Sequence, residues 1–378
     1  MDATARDVQS LVATKAFLHD SGRARTHNRR MIDPAAADPY PAYAELRARG
    51  DLFRDEERGV WIAARAGAVS AVLRSSLCRV RPAAEPVPAH LVGTAAGELF
   101  GQLVRQSDGA AHAALRPLTD RLAGLAAAAR DAAARFARRL FASGDARALP
   151  AFARALPVHA LGSLSGLGDG ELAEAVECVD RVALAFAPGA AAETVARGSD
   201  AAGWLVARVG KGEPATPAVA NQVGFLFQSH EATAGLIGST LVAIARGAPR
   251  GAPAAALVRE AARHDPPVHT TRRFVARDGE LAGRTVAPGD AVLLVLAAAN
   301  RDPAVNPEPD RFDPSRRAPV CFTFGDGIHA CPGEAIAVAI TEAAVAHVLA
   351  AGVDLAPLAR GVRYRPSHNV RVIRDVAL

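Results

Sequence analysis

The chain has 378 residues, half of them hydrophobic and 22% charged, with a formal net charge of +5. Such a chain buries a large core and is neither disordered nor fibrous. Lys15 and Lys211 are the only lysines. The positive charge is therefore arginine, spread without a dense basic block or interleaved aromatics, which argues against nucleic-acid binding. A basic face that docks an acidic electron-transfer protein is compatible with it. Cys78, Cys178, Cys321 and Cys331 are widely and irregularly spaced, as expected of reduced thiols in the cytoplasm rather than a disulfide framework. Residues 1–30 contain Arg23, Arg25, Arg29 and Arg30 and no long apolar run. Neither a signal peptide nor a spanning helix is expected, so no membrane partner is either. Length alone suggests two or three domains.

Residues 1–35 read as a polar, irregular segment. Asp38-Pro39-Tyr40-Pro41 opens a short helix through Arg49, Val60–Ala63 reads as a strand, and a helix follows near Gly67–Arg74. Pro82, Pro86 and Pro88 make 79–95 a loop. His112 and Arg116 stand four apart, on one helical face. From 117 to 210 the chain is Ala-rich and helical, with breaks expected near Pro150, Pro157, Gly166–Gly170 and Pro188-Gly189. Pro217 to Arg246 is the longest periodic run, closed by Gly247, and spans roughly 45 Å if helical throughout. Its middle carries Gln228, Ser229, His230, Glu231 and Thr233. Polar groups in an otherwise apolar helix must find partners or serve chemistry. Glu260 and Arg263 can pair on a helix ended by Asp265-Pro266-Pro267. Val268–Arg273 reads as the start of a strand, Ala282–Asp290 as turns, Ala291–Ala297 as a buried strand, and Pro366–Val370 as a hairpin in which His368 faces either a pocket or the surface.

The most specific stretch is Phe324-Gly325-Asp326-Gly327-Ile328-His329-Ala330-Cys331-Pro332-Gly333. Its glycines allow positive φ and close backbone approach to a flat partner. The run Glu334–Ala351 reads as a buried helix stopped by Gly352. Cys331 thus precedes a helix N-terminus, where free N–H groups favour an anion such as a metal-ligating thiolate. A zinc site from Cys321, His329, Cys331 and His347 fits no zinc spacing.

This stretch resembles the heme-binding signature of the cytochromes P450, Phe-Gly-x-Gly-x-His-x-Cys-x-Gly, at every fixed position. The resemblance runs from about Asp38 to the C-terminus and implies one mainly α domain with small β-sheets over residues 36–378, in place of the two or three domains. It implies heme b, with Cys331 as the axial thiolate ligand of iron and Phe324 beside it. His112, Arg116 and His329 would meet the propionates together with Arg273 or Arg272, which counting does not separate. Pro332 has no N–H, so the thiolate loses one backbone donor. The Glu260–Arg263 pair would be completed by Arg311. The long helix resembles the oxygen-activating helix, whose pattern is Ala-Gly-x-Glu/Asp-Thr. Glu231 matches the acid, Gln228 and Ser229 replace Ala and Gly, and Ala232 stands where the catalytic threonine does. Thr233 lies one position, about 100°, around the helix. Glu231, His230, Ser229, Thr233 and Gln228 are the candidates for proton delivery. The function implied is oxidation, foremost hydroxylation, of a small organic molecule in specialised biosynthesis, with electrons from ferredoxin or flavodoxin. The missing threonine keeps open a peroxide-driven, coupling or dehydratase-like reaction, and a carrier protein could present the substrate.

Overall fold

The computed structural model describes residues 32–142, 144–213 and 215–376. The expected segment 1–35 lies almost wholly outside the described residues. Helix α1 (Tyr40–Ala48) starts with a proline in its first turn, where a missing N–H is harmless. Strands β1 (Leu52–Asp55) and β2 (Val60–Ala63), helix α2 (Ala66–Arg74) and strand β3 (Cys78–Arg79) follow. The helical body comprises α3 (Ala95–Gly101), α4 (Gly109–Ala123), α5 (Ala126–Leu140), α6 (Leu149–Leu164), α7 (Leu172–Ala185), α8 (Ala192–Val209), α9 (Pro217–Ala245) and α10 (Ala254–His264). Then come β4 (Thr270–Val275), β5 (Gly279–Leu281), β6 (Arg284–Val286), β7 (Ala291–Val295), α11 (Leu296–Ala299), α12 (Glu334–Ala350), α13 (Ala356–Arg360), β8 (Val362–Tyr364) and β9 (Ile373–Val376).

One five-stranded sheet has the order β1-β2-β7-β4-β3, and β5-β6 and β8-β9 are two-stranded. Strands β2 and β7 are parallel, with Ile62 opposite Leu293. Parallel neighbours need a long crossover, and here the whole helical body supplies it. The sheet therefore brings segments from both halves of the chain together.

Helix α9 runs through the middle of that body. Thr216 caps it by accepting from the Val219 N–H, and Pro217 opens it. Residues such as Val223, Leu226, Ile237, Leu241 and Ile244 are buried on several sides of it, as for a helix enclosed by others. Each such side chain contributes about 1.5–3 kcal/mol of burial. Gly235 sits where a Cβ would lie 2.5 Å from the Arg371 carbonyl oxygen and 2.7 Å from Pro267 Cβ. Glycine there lets the α10–β4 turn and the C-terminal hairpin close onto the helix.

Three local expectations change. Pro157 does not break its helix, because α6 continues through it, pressed against α5, α7 and α9. The buried strand at 291 ends at Val295, and Leu296–Ala299 wind into α11. The stretch 282–290 contains β6, paired with β5. Among the described residues, no helix is long and apolar enough to cross a membrane.

Candidate active site

The Cys331 loop is clamped from several directions. Gly325 and Gly327 have φ of +75° and +70°, and a Cβ on Gly327 would come 3.1 Å from the Leu73 carbonyl oxygen. The Asp326 carboxylate accepts from Ser70 Oγ at 2.9 Å and Arg74 Nε at 2.7 Å, tying the loop to α2. The Cys331 N–H donates to the Phe324 carbonyl at 2.7 Å. The Arg116 guanidinium donates to the carbonyls of Ile328 and Ala330 at 3.2 and 2.8 Å. Helix α12 begins directly after Gly333. A Cβ on Gly333 would stand 3.5 Å from the Phe225 ring and 3.7 Å from Cys331 Sγ. That glycine keeps a slot open between thiol and central helix. Phe324 packs its ring among Leu236, Val258 and Ala262.

Burial pushes the Cys331 thiol up, while the Gly333 N–H, Arg105 and Arg116 pull it down. Yet Cys331 is open to water. Both hold if the sulfur lies at the floor of a recess, surrounded by protein but reached by solvent. Pro332 offers no donor, and the Gly333 N–H fills that role.

Cationic and imidazole groups line the recess. His112 is buried, with its ring 4.4 Å from that of His329. Burial lowers its pKa, and His329 and Arg116 lower it further. His329 Nε2 lies 3.1 Å from Asp108 Oδ1. Arg116 also pairs with Asp120 at 2.8 Å, which leaves its second terminal nitrogen free for another acceptor. Arg273 is buried, donates to the Arg272 carbonyl at 2.8 Å, and has Cys78, Asp108 and Arg105 as charged neighbours. Arg81 acts electrostatically on Arg272. Arg105, absent from the sequence expectations, lies within electrostatic reach of Cys331. It sits in a three-residue turn, Val104–Gln106, that carries no periodic signal.

Along the middle of α9 one face holds a stripe of half-buried residues. Phe225, Gln228, Ser229 and Ala232 are half-buried, and the spacing of three to four places them on one face. Phe225 faces Gly333 and Cys331. Gln228 donates to the Gly224 carbonyl at 2.9 Å and Ser229 to the Leu226 carbonyl at 3.0 Å. Glu231 reaches Arg365 at 3.8 Å. Thr233 is fully buried, and its hydroxyl has no partner. The helix is regular from Pro217 to Ala245, so Thr233 stays about 100° from Ala232. His230 is turned away from the stripe. Its Nδ1 lies 2.8 Å from the Arg154 carbonyl and its Nε2 2.9 Å from Asp180 Oδ1. Asp180 also receives Arg154. This network joins α6, α7 and α9 and leaves no ring nitrogen for the recess. Only the partners on α6 and α7 reveal it.

Beneath the recess, Glu260 and Arg263 form a buried two-bond pair at 2.6 and 2.9 Å. The expected third member, Arg311, is 62% exposed and pairs with Glu308. Its place is taken by Arg316, whose Nε lies 3.2 Å from Glu260 Oε1 and whose terminal nitrogens reach the carbonyls of Pro307, Glu308 and Arg311. The turn from Glu308 to Ser315 swings Arg311 outward and Arg316 inward. His347 lies against the Phe141 carbonyl. Among the described residues, no three His, Cys, Asp or Glu side chains converge as a metal site. His368 is exposed. A small void beside Phe225, about 20 Å³ and lined also by Leu125, Leu161 and Ile336, has room for about one water.

A recessed thiol, a glycine-opened slot and convergent cations fit a flat, iron-bearing dianion held by a thiolate. The comparisons agree. The sequence model of the family "Cytochrome P450" matches residues 254–351. The chain is 45% identical over 78 residues to cytochrome P450 CYP199A2 of Rhodopseudomonas palustris, covering 21% of this chain and 19% of the relative. It is 37% identical over 164 residues to the vitamin D(3) 25-hydroxylase of Pseudonocardia autotrophica, 40% of each chain. The chain thus matches about a fifth of the length of the first of these curated relatives. Over the whole fold it superimposes on the crystal structure of CalO2 with a TM-score of 0.75 at 24% identity, covering 91% of this chain and 97% of the other. It matches P450BioI, solved with a hexadec-9Z-enoic acid-ligated acyl carrier protein, with a TM-score of 0.75 at 21% identity, covering 90% and 97%. With the signature loop at the floor of the recess, the chain carries the sequence pattern of the cytochromes P450 over residues 254–351 and their fold over about nine-tenths of its length, and members of that family bind heme b.

Proposed function

We propose that this protein is a cytoplasmic heme-thiolate oxygenase that oxidises a small organic molecule in specialised biosynthesis, taking electrons from ferredoxin or flavodoxin. The observation that carries this is the recessed Cys331 beneath the open stripe of α9. Cys331 would ligate the iron, with the Gly333 N–H directed at its sulfur. His112, Arg116, His329 and Arg273 would hold the propionates. Arg273 is preferred to Arg272 because its neighbours Asp108 and Arg105 belong to the recess. The bound group supplies dioxygen activation and electron storage. The chain supplies placement and protons. Phe225 and Ala232 shape an apolar wall, Gln228 and Ser229 offer polar contacts, and Glu231 with Arg365 stands next along the helix to move protons from solvent. Thr233 and His230 face elsewhere. The test is the reduced carbon-monoxide complex, which should show the thiolate-type Soret band and lose it in Cys331→Ser. Substrate oxidation should then couple to NADPH consumption when ferredoxin and its reductase are supplied. A C331S protein that keeps the band refutes the ligand.

A second reading keeps the site and changes the reaction. Ala232 occupies the place of the usual threonine, and the regular helix holds Thr233 away. Turnover with peroxide and none with ferredoxin would favour the peroxide-driven, coupling or dehydratase-like alternative. If the substrate's own hydroxyl replaces the missing one, Ala232→Thr leaves coupling unimproved. A large gain sinks that idea.

A further inference from the structure

Several arginines around the recess have an acceptor of their own. Arg74 has Asp326, Arg81 has the Glu85 carbonyl, Arg116 has Asp120 and two loop carbonyls, and Arg273 has the Arg272 carbonyl. Arg105 makes neither a hydrogen bond nor an ion pair among the described residues, and its electrostatic neighbours are the Cys331 sulfur and a second cation, Arg273. Its turn is nevertheless held firmly. Asn221 Oδ1 accepts from the Val104 N–H at 3.0 Å, and Asn221 Nδ2 donates to the Gln102 carbonyl at 2.9 Å. Gly224 completes the contact, since a Cβ there would come 2.7 Å from Leu103 Cδ2. Both anchor residues belong to α9, and Gln228 of the open stripe lies one turn beyond Gly224. A fixed backbone thus carries an unneutralised five-donor fork to the recess, beside the stripe that faces a substrate.

We propose that Arg105 is the specificity anchor for a substrate bearing a free carboxylate. The inference rests on the heme-thiolate reading and names the substrate class of that same site. The Arg105 side chain is open to solvent, so it can receive a ligand, and its planar fork matches a carboxylate by two parallel bonds. The two propionates already have His112, Arg116, His329 and Arg273 to receive them. A thioester on a carrier protein hides the carboxyl through which it is attached, so the anchor favours a free acid or a substrate with a second carboxylate.

The experiment uses the heme-loaded protein, first shown to give the thiolate-type Soret band. It is titrated with octanoic, decanoic, hexadec-9-enoic and benzoic acids and with the methyl ester of each, by ferric Soret shift and by calorimetry. At least one acid is expected to bind about tenfold more tightly than its ester, a difference of about 1.4 kcal/mol. Arg105→Gln should erase that preference, and Arg105→Lys should keep part of it. Equal binding of every acid and ester, or no acid binding at millimolar concentration, overturns the proposal. So does an Arg105→Gln protein that keeps the preference but releases heme faster to apomyoglobin, because the carboxylate on Arg105 would then be a propionate. A protein without the thiolate band fails the underlying reading itself, and the proposal falls with it before any titration.

Discussion

Replacing Arg316 with alanine removes a side chain that is 14% exposed and serves four acceptors. Three of these are carbonyls near the surface, which water can satisfy afterwards. The fourth is the Glu260 carboxylate, which is 2% exposed. Glu260 keeps both bonds from Arg263 and one from the Asp313 N–H at 2.9 Å. The loss should therefore stay below the roughly 3–5 kcal/mol expected when a buried charge is stranded. One bond to a charged group, with part of the carbonyl bonding, gives about 2–3 kcal/mol. Arg311→Ala breaks only an exposed pair, worth about 0–1 kcal/mol. Urea unfolding followed by far-ultraviolet circular dichroism should separate the two variants by at least about 1 kcal/mol. Arg316→Lys should fall between, since it keeps the charge and loses the fork. If Arg311→Ala proves as damaging as Arg316→Ala, the geometry drawn for the triad is wrong.

Gly235→Ala should destabilise by about 1–3 kcal/mol, because its Cβ meets a backbone carbonyl and a proline ring rather than a flexible side chain; an unchanged melting temperature contradicts the close packing. Asp180→Ala should cost about 2 kcal/mol, since it strands both His230 and Arg154. Its effect should vanish in a background already carrying His230→Leu and Arg154→Met, which double-mutant analysis of thermal unfolding checks. Acid should weaken the fold early. Burial holds His269 at about 3 and His264 at about 4, below the free value. Both take up protons on unfolding, so stability is highest above about pH 6.5 and falls as pH drops toward those values. Burial raises the Asp265 carboxyl, but Arg371, His269 and Tyr40 overcome it and hold it at about 2, which adds a further loss below about pH 4. A urea midpoint that stays flat from about pH 7 to about pH 5 contradicts this.

The parts legible in the sequence were those with a local signal. The glycines at 325 and 327 mark a positive-φ backbone that favours glycine. The 29-residue α9 and the 17-residue α12 announce themselves by length without an internal proline and by predominantly apolar composition. Choices among neighbours of like chemistry were not legible. Arg311 and Arg316 are both arginines within five positions of each other, and the fold of one turn decides which points inward. Arg272 and Arg273 are adjacent, and their different surroundings come from distant segments. The polar block on α9 looked like a single functional patch. Helical rotation divides it into an open stripe at Gln228 and Ser229 and a buried link at His230, and that division depends on helices α6 and α7. Arg105 left no trace in the sequence because a short turn has no periodicity, and its isolation is a property of the space around it.

The hold of Arg371 on the start of the chain bears on how the protein is made. Its guanidinium donates to the carbonyls of Pro34, Ala36 and Ala37 and pairs with Asp265 at 3.1 Å. The first of those partners lies 337 positions away. At about 5–20 residues per second, the ribosome delivers Arg371 roughly 20–70 s after Pro34. Throughout that interval the carbonyls of Pro34, Ala36 and Ala37 lack this donor. Closure must await the emergence of Arg371 from the exit tunnel. A nascent chain stalled just short of it would already carry the Cys331 loop, yet leave residues 34–37 unlatched.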